Sequence, residues 1–186
     1  MLQETLNNIV DFDPEALDAF LNLFSPLDFK KGMVFAQKGE YSRNIAFVKS
    51  GVLRAYYSND RGEEYNKTFF TENNFVGAYS ALVTGEKNLI DIDALTDCNL
   101  LVAEYKKVKD LYAPFPKVER LARILAEQFF VRKEKREIEL VTLEAKDRYT
   151  IFQKEHPELE QRIPQYHIAS YLGVSPTQLS RIRRQR

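Results

Sequence analysis

The chain has 186 residues, of which 44% are hydrophobic and 29% are charged, and its formal net charge is zero. This length supports one or two small domains, and the lack of a long apolar run or a leader sequence predicts a cytoplasmic protein without a membrane span. A single cysteine, Cys98, excludes a disulfide framework, and we interpret it as a small buried side chain.

The neutral total hides an uneven distribution of charge along the chain. Residues 1–116 carry 12 Lys and Arg against 17 Asp and Glu, whereas residues 141–186 carry 8 against 5. The last six residues contain four arginines. An acidic body with a basic C-terminal end is typical of a protein that contacts nucleic acid at one end, although a solvated basic tail gives the same pattern.

The first half of the chain predicts helix followed by β structure. Apolar spacing predicts α-helix over residues 3–23, with a second start signal at Asp13-Pro14. From about residue 24 to residue 103, short β-rich runs alternate with turn signals, which is typical of a small barrel or jelly roll. The predicted strands cover 33–36, 45–48, 52–57, 65–70, 90–95 and 100–103. Asp91 and Asp93 alternate along one of them, and we expect both to face solvent.

A connector helix is predicted over residues 107–137. Its apolar residues recur every three or four positions and are flanked by charges. The stripe comprises Val118, Leu121, Ala122, Leu125 and Phe129. Such a stripe suits a two-stranded helix pair and predicts dimerisation; the alternative is a helix that packs only on its own β domain. Residues 132–139 are highly charged, and we interpret them as a solvated face or hinge.

The C-terminal part predicts one supporting helix and then a pair of short helices. Residues 140–160 contain the supporting helix, which ends near His156-Pro157 and is followed by a polar connection over 156–162. Residues 163–184 predict two short helices joined by a tight turn. Gly173 is the residue type that ends a helix in the left-handed conformation, and Ser175 with Gln178 forms a capping box for the second helix.

This helix pair has the pattern of a helix-turn-helix. Leu179 and Ile182 are predicted to point inward, whereas Thr177, Arg181 and Arg184 fall on the opposite face. The second helix of such a motif enters the major groove, where an arginine can form a bidentate pair with guanine. The alternative is an ordinary helical hairpin with solvated arginines.

The run IASYLGVSPTQLSRIRR resembles the helix-turn-helix of the cyclic-AMP receptor / fumarate-nitrate regulator (Crp/Fnr) family of bacterial transcription regulators. The resemblance implies an α+β fold in three parts. An N-terminal β-roll (a double-stranded β-helix like a cyclic-nucleotide-binding domain) with its helices covers 1–106, a dimerisation helix covers 107–139 and a DNA-binding domain covers 140–186. The family pattern continues with a β-hairpin wing, which we expect to be missing here.

The same resemblance assigns the candidate DNA contacts. The family's base-reading positions fall on Pro176, Thr177 and Arg181, and its phosphate-contacting positions fall near Ser175 and Gln178. Pro176 has no polar side chain, so we expect Arg181 to carry most of the base recognition. The full predicted DNA-binding set is Ser175, Thr177, Gln178, Ser180, Arg181 and Arg184.

By resemblance, residues 74–89 correspond to the family's phosphate-binding cassette. The candidate pocket residues are Gly77, Ala78, Tyr79, Ser80, Lys87, Asn88 and Leu89. The family's cyclic-nucleotide binders place a Glu where this chain has Ala78, and an Arg-Ser or Arg-Thr pair where it has Asn88 and Leu89. Burying a phosphate without a cation is costly, and Lys87 lies one residue out of register. We therefore expect a vestigial pocket and no response to cyclic AMP.

The sequence thus predicts a non-enzymatic transcription regulator that binds a palindromic operator in double-stranded DNA as a homodimer. It requires no cofactor or metal, its effector is unknown, and the resemblance makes RNA polymerase a candidate further partner. One alternative is a β-roll that senses a nucleotide or small molecule without DNA function. Another is a jelly-roll metalloenzyme, which needs histidines on its strands, but the two histidines are His156 and His167 in the C-terminal part.

Overall fold

The computed structural model describes residues 1–185; Arg186, the last residue of the predicted DNA-binding domain, lies outside the described residues. The helices are α1 (Leu2–Asn7), α2 (Pro14–Leu21), α3 (Tyr79–Thr84), α4 (Tyr105–Asp110), α5 (Pro116–Thr142), α6 (Ala145–Glu155), α7 (Leu159–Arg162), α8 (Gln165–Leu172) and α9 (Pro176–Arg184). The strands are β1 (Ser25–Phe29), β2 (Val34–Ala36), β3 (Asn44–Ser50), β4 (Leu53–Ser58), β5 (Glu64–Phe70), β6 (Phe75–Val76), β7 (Asp91–Ala94) and β8 (Cys98–Glu104).

The strands form the predicted β-roll from two facing antiparallel sheets. One sheet has the order β1-β8-β3-β6 and the other has the order β2-β7-β4-β5. Apolar side chains from both sheets fill the space between them. This roll core includes Phe29, Val48, Leu53, Phe70, Ile92 and Leu100.

Two strands of the roll, β1 and β6, were not predicted. Four of the five residues of β1 are exposed, so the strand lacks the alternation that identifies a half-buried strand. It also contains Pro26, which a sheet accepts here because β1 lies at the edge. Strand β6 has only two residues, which is too short to give a periodic signal.

The turn between β3 and β4 requires glycine. Gly51 has a φ of +102°, and a Cβ placed on it would lie 2.5 Å from Sγ of Cys98. Cys98 is buried, as predicted, and burial raises the pKa of its thiol. The turn over residues 49–51 is therefore packed tightly against β8. These residues suggest a hairpin from the sequence, but the turn leads from one sheet to the other, so β3 and β4 do not pair and the hairpin interpretation is wrong.

The N-terminal helices pack on the roll together with the start of α5. Asp13 caps α2 by accepting a hydrogen bond from the backbone N–H of Ala16 at 2.9 Å, so the predicted second start is confirmed. Leu6 and Phe20 from α1 and α2 share a buried cluster with Phe47 of β3 and Leu121 of α5.

Several predicted boundaries in the C-terminal half are wrong. The connector predicted over residues 107–137 contains the end of α4 and a break, because α5 begins only at Pro116. The connector helix α5 continues to Thr142, so Leu140 belongs to it and the supporting helix α6 begins only at Ala145. The polar connection contains the short helix α7, whose Leu159 is buried. Apolar residues near position 140 fit the helical spacing of both α5 and α6, so periodicity alone does not show where α5 ends.

The four C-terminal helices share one buried core with the roll. Val52, Phe69 and Leu95 from the roll lie in the same cluster as Phe152 of α6 and Tyr171 of α8. The ring centroid of Phe69 is 6.4 Å from that of Phe152 and 5.2 Å from that of Tyr171. The predicted sensor and DNA-binding parts are therefore in direct apolar contact.

Within residues 1–185, no helix is long and apolar enough to cross a membrane.

Candidate nucleic-acid interface

The turn between α8 and α9 has the predicted local structure. Gly173 adopts a left-handed conformation with a φ of +68°, and it ends α8. The side chain of Ser175 accepts a hydrogen bond from the backbone N–H of Gln178 at 3.2 Å. The side-chain oxygen of Gln178 accepts one from the backbone N–H of Ser175 at 3.0 Å. The predicted capping box is thus confirmed, and it fixes the start of α9.

Helix α9 is held by one face and exposed on the other. Leu179 is buried in the shared core and Ile182 packs against it. Thr177, Ser180, Arg181 and Arg184 are exposed and, at 100° per residue, fall within an arc of about 100° on the opposite side. We call these four side chains the recognition face.

The arginines of α9 differ in their surroundings. Neither Arg181 nor Arg184 makes an ion pair or side-chain hydrogen bond within residues 1–185. Nε of Arg183, which lies outside the recognition face, is 3.7 Å from a carboxylate oxygen of Glu160. The recognition face therefore offers two unpaired guanidinium groups with a hydroxyl beside each, which suits phosphates and base edges.

The cassette residues do not converge on one cavity. Ala78 and Asn88 are buried, whereas Leu89 is 76% exposed and Tyr79 is 43% exposed. The amide nitrogen of Asn88 donates to the carbonyl of Gln37 at 3.1 Å and to Oγ of Ser42 at 2.9 Å. Asn88 therefore ties the end of the cassette to the β2–β3 connection.

The remaining cassette residues are also dispersed. Gly77 is confined by Ile45 and Leu82, because a Cβ placed on it would lie 3.2 Å from a side-chain carbon of each. Ser80 is exposed, and the ammonium group of Lys87 lies 5.8 Å from the ring centroid of Tyr41. A cleft of about 340 Å³ lies nearby, lined by residues 34–37 and 40–44, but the seven predicted pocket residues are not part of its lining.

The predicted dimer stripe of α5 faces its own chain over most of its length. Val118 and Leu121 are buried in the cluster with the N-terminal helices, and Leu125 packs against that cluster. Ala122 is half-buried and Phe129 is 37% exposed. Val118 and Leu121 are therefore covered by their own chain in this structure.

A polar network centred on the buried side chains of Arg54, Asn66 and His167 joins the roll to α8. Nε and Nη2 of Arg54 donate to the two carboxylate oxygens of Asp93 at 2.8 and 3.1 Å, and Nη1 lies 2.5 Å from the carboxylate of Glu64. Nη1 also lies 3.0 Å from Nδ1 of His167, and the amide nitrogen of Asn66 donates to the carbonyl of His167 at 2.9 Å. We call these five residues the docking network.

The charges of the docking network determine its protonation. Burial alone would lower the pKa of Arg54, but hydrogen bonds to Asp93 and Glu64 outweigh burial and raise it. Burial, followed by the charge of Arg54, lowers the pKa of His167 to about 4. Because the guanidinium can only donate, Nδ1 of His167 is an acceptor and the ring is neutral. The prediction that Asp93 faces solvent is wrong, since its carboxylate is needed to balance buried Arg54.

Further contacts bind the C-terminal helices to the roll and to the connector. Arg162 makes two hydrogen bonds of 2.8 and 2.6 Å to the carboxylate of Glu72 in the roll, and these lower the pKa of Glu72 to about 2. From the connector, the guanidinium of Arg136 stacks on the ring of Tyr171 at 3.6 Å and donates to its carbonyl. Arg136 is half-buried, whereas most of the predicted solvated face over residues 132–139 is exposed.

Lowering the pH should weaken the fold through His167. Its folded pKa of about 4 lies below the ordinary value of 6.5, so the unfolded chain takes up a proton first. Its contribution to the free energy of unfolding is complete above pH 6.5 and is lost as the pH falls toward 4, at up to about 1.4 kcal/mol per pH unit. Urea unfolding at several pH values measures this slope.

The variant His167→Gln is the control, because its amide oxygen can still accept from Arg54 but does not titrate. We expect a less stable protein with a flatter slope between pH 6.5 and 4.5. Some slope will persist, since burial also lowers the pKa of His156. The pair of Glu72 and Arg162 adds to the slope only below pH 4.5, where the carboxylate of Glu72 becomes protonated in the unfolded chain. An unchanged slope in His167→Gln would contradict the assignment.

Reasoning from the sequence identified the recognition face but missed the docking network. The available signal was Arg54 itself, a charged residue inside the apolar run 52–56. A buried arginine needs a carboxylate partner, but the strand pattern does not show which one it meets.

Comparisons with known proteins agree with this architecture. Residues 26–114 match the family model for the cyclic nucleotide-binding domain. The chain has the fold of the solved structure of FixK2 from Bradyrhizobium japonicum, with a TM-score of 0.79 and 16% identity over 87% of this chain and 83% of that one. No curated protein sequence matches the chain.

Two further solved structures show the same fold. The global regulator CLP of Xanthomonas campestris gives a TM-score of 0.72 and 16% identity over 93% of this chain and 91% of that chain. The catabolite activator protein of Thermus thermophilus gives a TM-score of 0.59 and 21% identity over 97% of this chain and 85% of that chain. The resemblance to Crp/Fnr regulators, first based on one motif, is therefore confirmed for the fold of nearly the whole chain.

Proposed function

We propose that this chain, which has the fold of Crp/Fnr regulators, is a sequence-specific DNA-binding transcription regulator that acts as a homodimer. The observation that carries the proposal is the recognition face. Helix α9 begins at a capping box and buries Leu179 in the core, while its other side presents Thr177, Ser180, Arg181 and Arg184 to solvent. Unpaired cations and hydroxyls on the second helix of a helix-turn-helix are suited to the major groove. Two of the solved structures with this fold are described as a global regulator and a catabolite activator protein.

Selection from random duplex DNA tests the proposal. The purified full chain at a stated salt concentration should enrich a palindrome whose half-sites lie about one helical turn apart. Weak binding without sequence preference, with or without cyclic AMP, would contradict the proposal and favour a β-roll without DNA function.

The dimer contact we propose lies on the C-terminal half of α5, opposite the side that faces its own chain. Phe130 and Val131 are each 60% exposed, Ile138 is 56% exposed and Val141 is 86% exposed. At 100° per residue these four side chains share one side of the helix. Such an exposed apolar strip suits a second copy of the same helix, since two recognition helices are needed to read two half-sites.

Replacing Ile138 tests this contact. Ile138→Glu places a charge in the centre of the strip, and we expect the dimer to dissociate at concentrations where the wild type remains dimeric, because an unpaired buried carboxylate is costly. Sedimentation equilibrium measures the mass. Gln128→Glu is the matched control, since it adds the same charge at an exposed position outside the strip. Equal dimer constants for the two variants would place the dimer contact elsewhere.

We also propose that cyclic AMP does not control this regulator. Asn88 stands where the family's cyclic-nucleotide binders supply a cation, and its amide is already engaged with Gln37 and Ser42. Leu89, at the next position, has no hydrogen-bonding group on its side chain. A cyclic phosphate placed there would lack the charge that offsets its desolvation.

A further inference from the structure

Helix α8 covers the β5 edge of the sheet that contains β2, β7, β4 and β5. Strand β5 is at the edge of its sheet, so its outward backbone groups have no strand partner. Oγ of Ser170 accepts from the backbone N–H of Asn66 at 2.9 Å and donates to the carbonyl of Glu64 at 2.8 Å. One hydroxyl therefore joins α8 to two backbone groups of the edge strand.

The docking network then fixes the rotation of α8 on this edge. Arg54 and Asn66 of the roll bond both the ring and the carbonyl of His167, and all three residues are buried. Removing one partner from such a set leaves a buried charge or carbonyl unsatisfied, so rotating α8 away is costly. Ser170 and His167, three residues apart, hold the same side of α8.

The position of α9 follows from that of α8. The turn at Gly173 allows little freedom, and Leu179 of α9 is buried in the core that contains Phe69 of the roll. The connector belongs to the same rigid set, because Arg136 of α5 bonds the carbonyl of Tyr171 near the end of α8. The roll, the connector and the helix-turn-helix are thus mutually fixed, while the recognition face stays exposed.

We propose that the docking network and Ser170 preset the position of the recognition helix, so that the dimer reads its operator without an added effector. Arg54, His167 and Ser170 are positioning residues: they contact no DNA but fix the distance between the two recognition faces of a dimer. This inference rests on the proposed regulator function. Because the docked arrangement leaves the recognition face uncovered, it favours DNA binding and does not block it.

Half-site spacing is the readout that separates positioning from simple stabilisation. A rigid dimer discriminates strongly between the selected spacing and one altered by two base pairs, whereas a dimer with loosely held helix-turn-helix units tolerates both. Affinities of the wild type, Arg54→Gln and Ser170→Ala for both operators, without added ligand, give this ratio. Lys30→Gln is the matched control, since it breaks an exposed ion pair between Lys30 and Asp97, neither of which belongs to α8 or to the docking network.

We expect the wild type and Lys30→Gln to share one spacing ratio, and we expect that ratio to shrink about tenfold or more in both test variants. The preference for the correct base within each half-site should persist. Retained discrimination in both test variants, tighter binding by them to the selected operator, or a wild type that needs an added small molecule would each overturn the inference.

Hydrogen exchange of the free protein tests the positioning inference without DNA, so its failure can be told apart from failure of the regulator function. It also gives a result for a variant that does not bind DNA. In the wild type the amides of α8 should be as protected as those of β4, and Arg54→Gln and Ser170→Ala should lower protection in α8 while β3 and β8 stay protected. Unchanged protection of α8 overturns the inference. A wild type that selects no DNA sequence refutes the regulator function, whatever the exchange shows.

Discussion

Arg181→Ala is expected to abolish most of the sequence preference of the protein for its operator. The guanidinium of Arg181 is exposed and unpaired within residues 1–185, on the face of α9 that points away from the core. A bidentate arginine–guanine pair contributes about 1–3 kcal/mol of discrimination, and a palindrome contains the pair twice. We therefore expect affinity for the selected operator to fall by about a hundredfold or more, and affinity for random DNA to change little.

Arg183→Ala is the matched control for this loss. It removes the same charge from the same helix, but Arg183 lies beside Glu160 and outside the recognition face. Its effect should be a small, salt-dependent loss that is equal on all sequences. Titration of labelled operator and scrambled duplex at two salt concentrations measures both the loss of sequence preference and the salt-dependent loss. If Arg181→Ala behaves like Arg183→Ala, then Arg181 contacts phosphate and does not read bases.

Phe152→Ala is expected to cause the largest loss of stability among single substitutions in the shared core. Phe152 is 1% exposed, and its ring packs 5.2 Å from that of His156 and 5.6 Å from that of Tyr171. Truncating a buried phenylalanine costs about 3–5 kcal/mol, against a total stability of about 5–15 kcal/mol for a typical domain. Urea unfolding should show a midpoint lowered by a corresponding amount.

The same experiment reports whether the two parts of the chain unfold together. Because Phe69 of the roll contacts Phe152 and Tyr171, we expect one transition by circular dichroism and by tyrosine fluorescence in both the wild type and the variant. Tyr41→Ala is the control for removing a ring, since Tyr41 is 63% exposed and should change stability by less than about 0.5 kcal/mol. A variant whose helices melt well before the roll would show that the shared core is not cooperative.

Local signals made the recognition face predictable from the sequence. A left-handed glycine, a capping box and an apolar pair three residues apart all lie within the ten residues 173–182, and each of them acts on its own segment. The roll was predictable for a similar reason, because its longer strands are runs of β-forming residues separated by turn signals. Strand β1 failed this test, since most of its residues are exposed and Pro26 interrupts it.

Contacts between distant segments could not be predicted in this way. Arg54 and His167 are separated by 113 residues, and neither has a partner that its own element reveals. The stripe on α5 shows the same limit: periodicity identified an apolar side correctly, but not whether it meets the same chain or another one. Val118 and Leu121 meet their own N-terminal helices, which the spacing of the stripe does not show.

The cover that α8 places over β5 also has a consequence for solubility. Strand β5 carries Phe69 and Phe70 at an open sheet edge, and an uncovered edge of this kind invites pairing with the same strand of another molecule. Ser170 occupies the backbone groups that such pairing would use. A form of the protein in which α8 leaves the sheet edge would therefore be prone to aggregation, and the docked helix protects β5 from pairing with strands of other molecules.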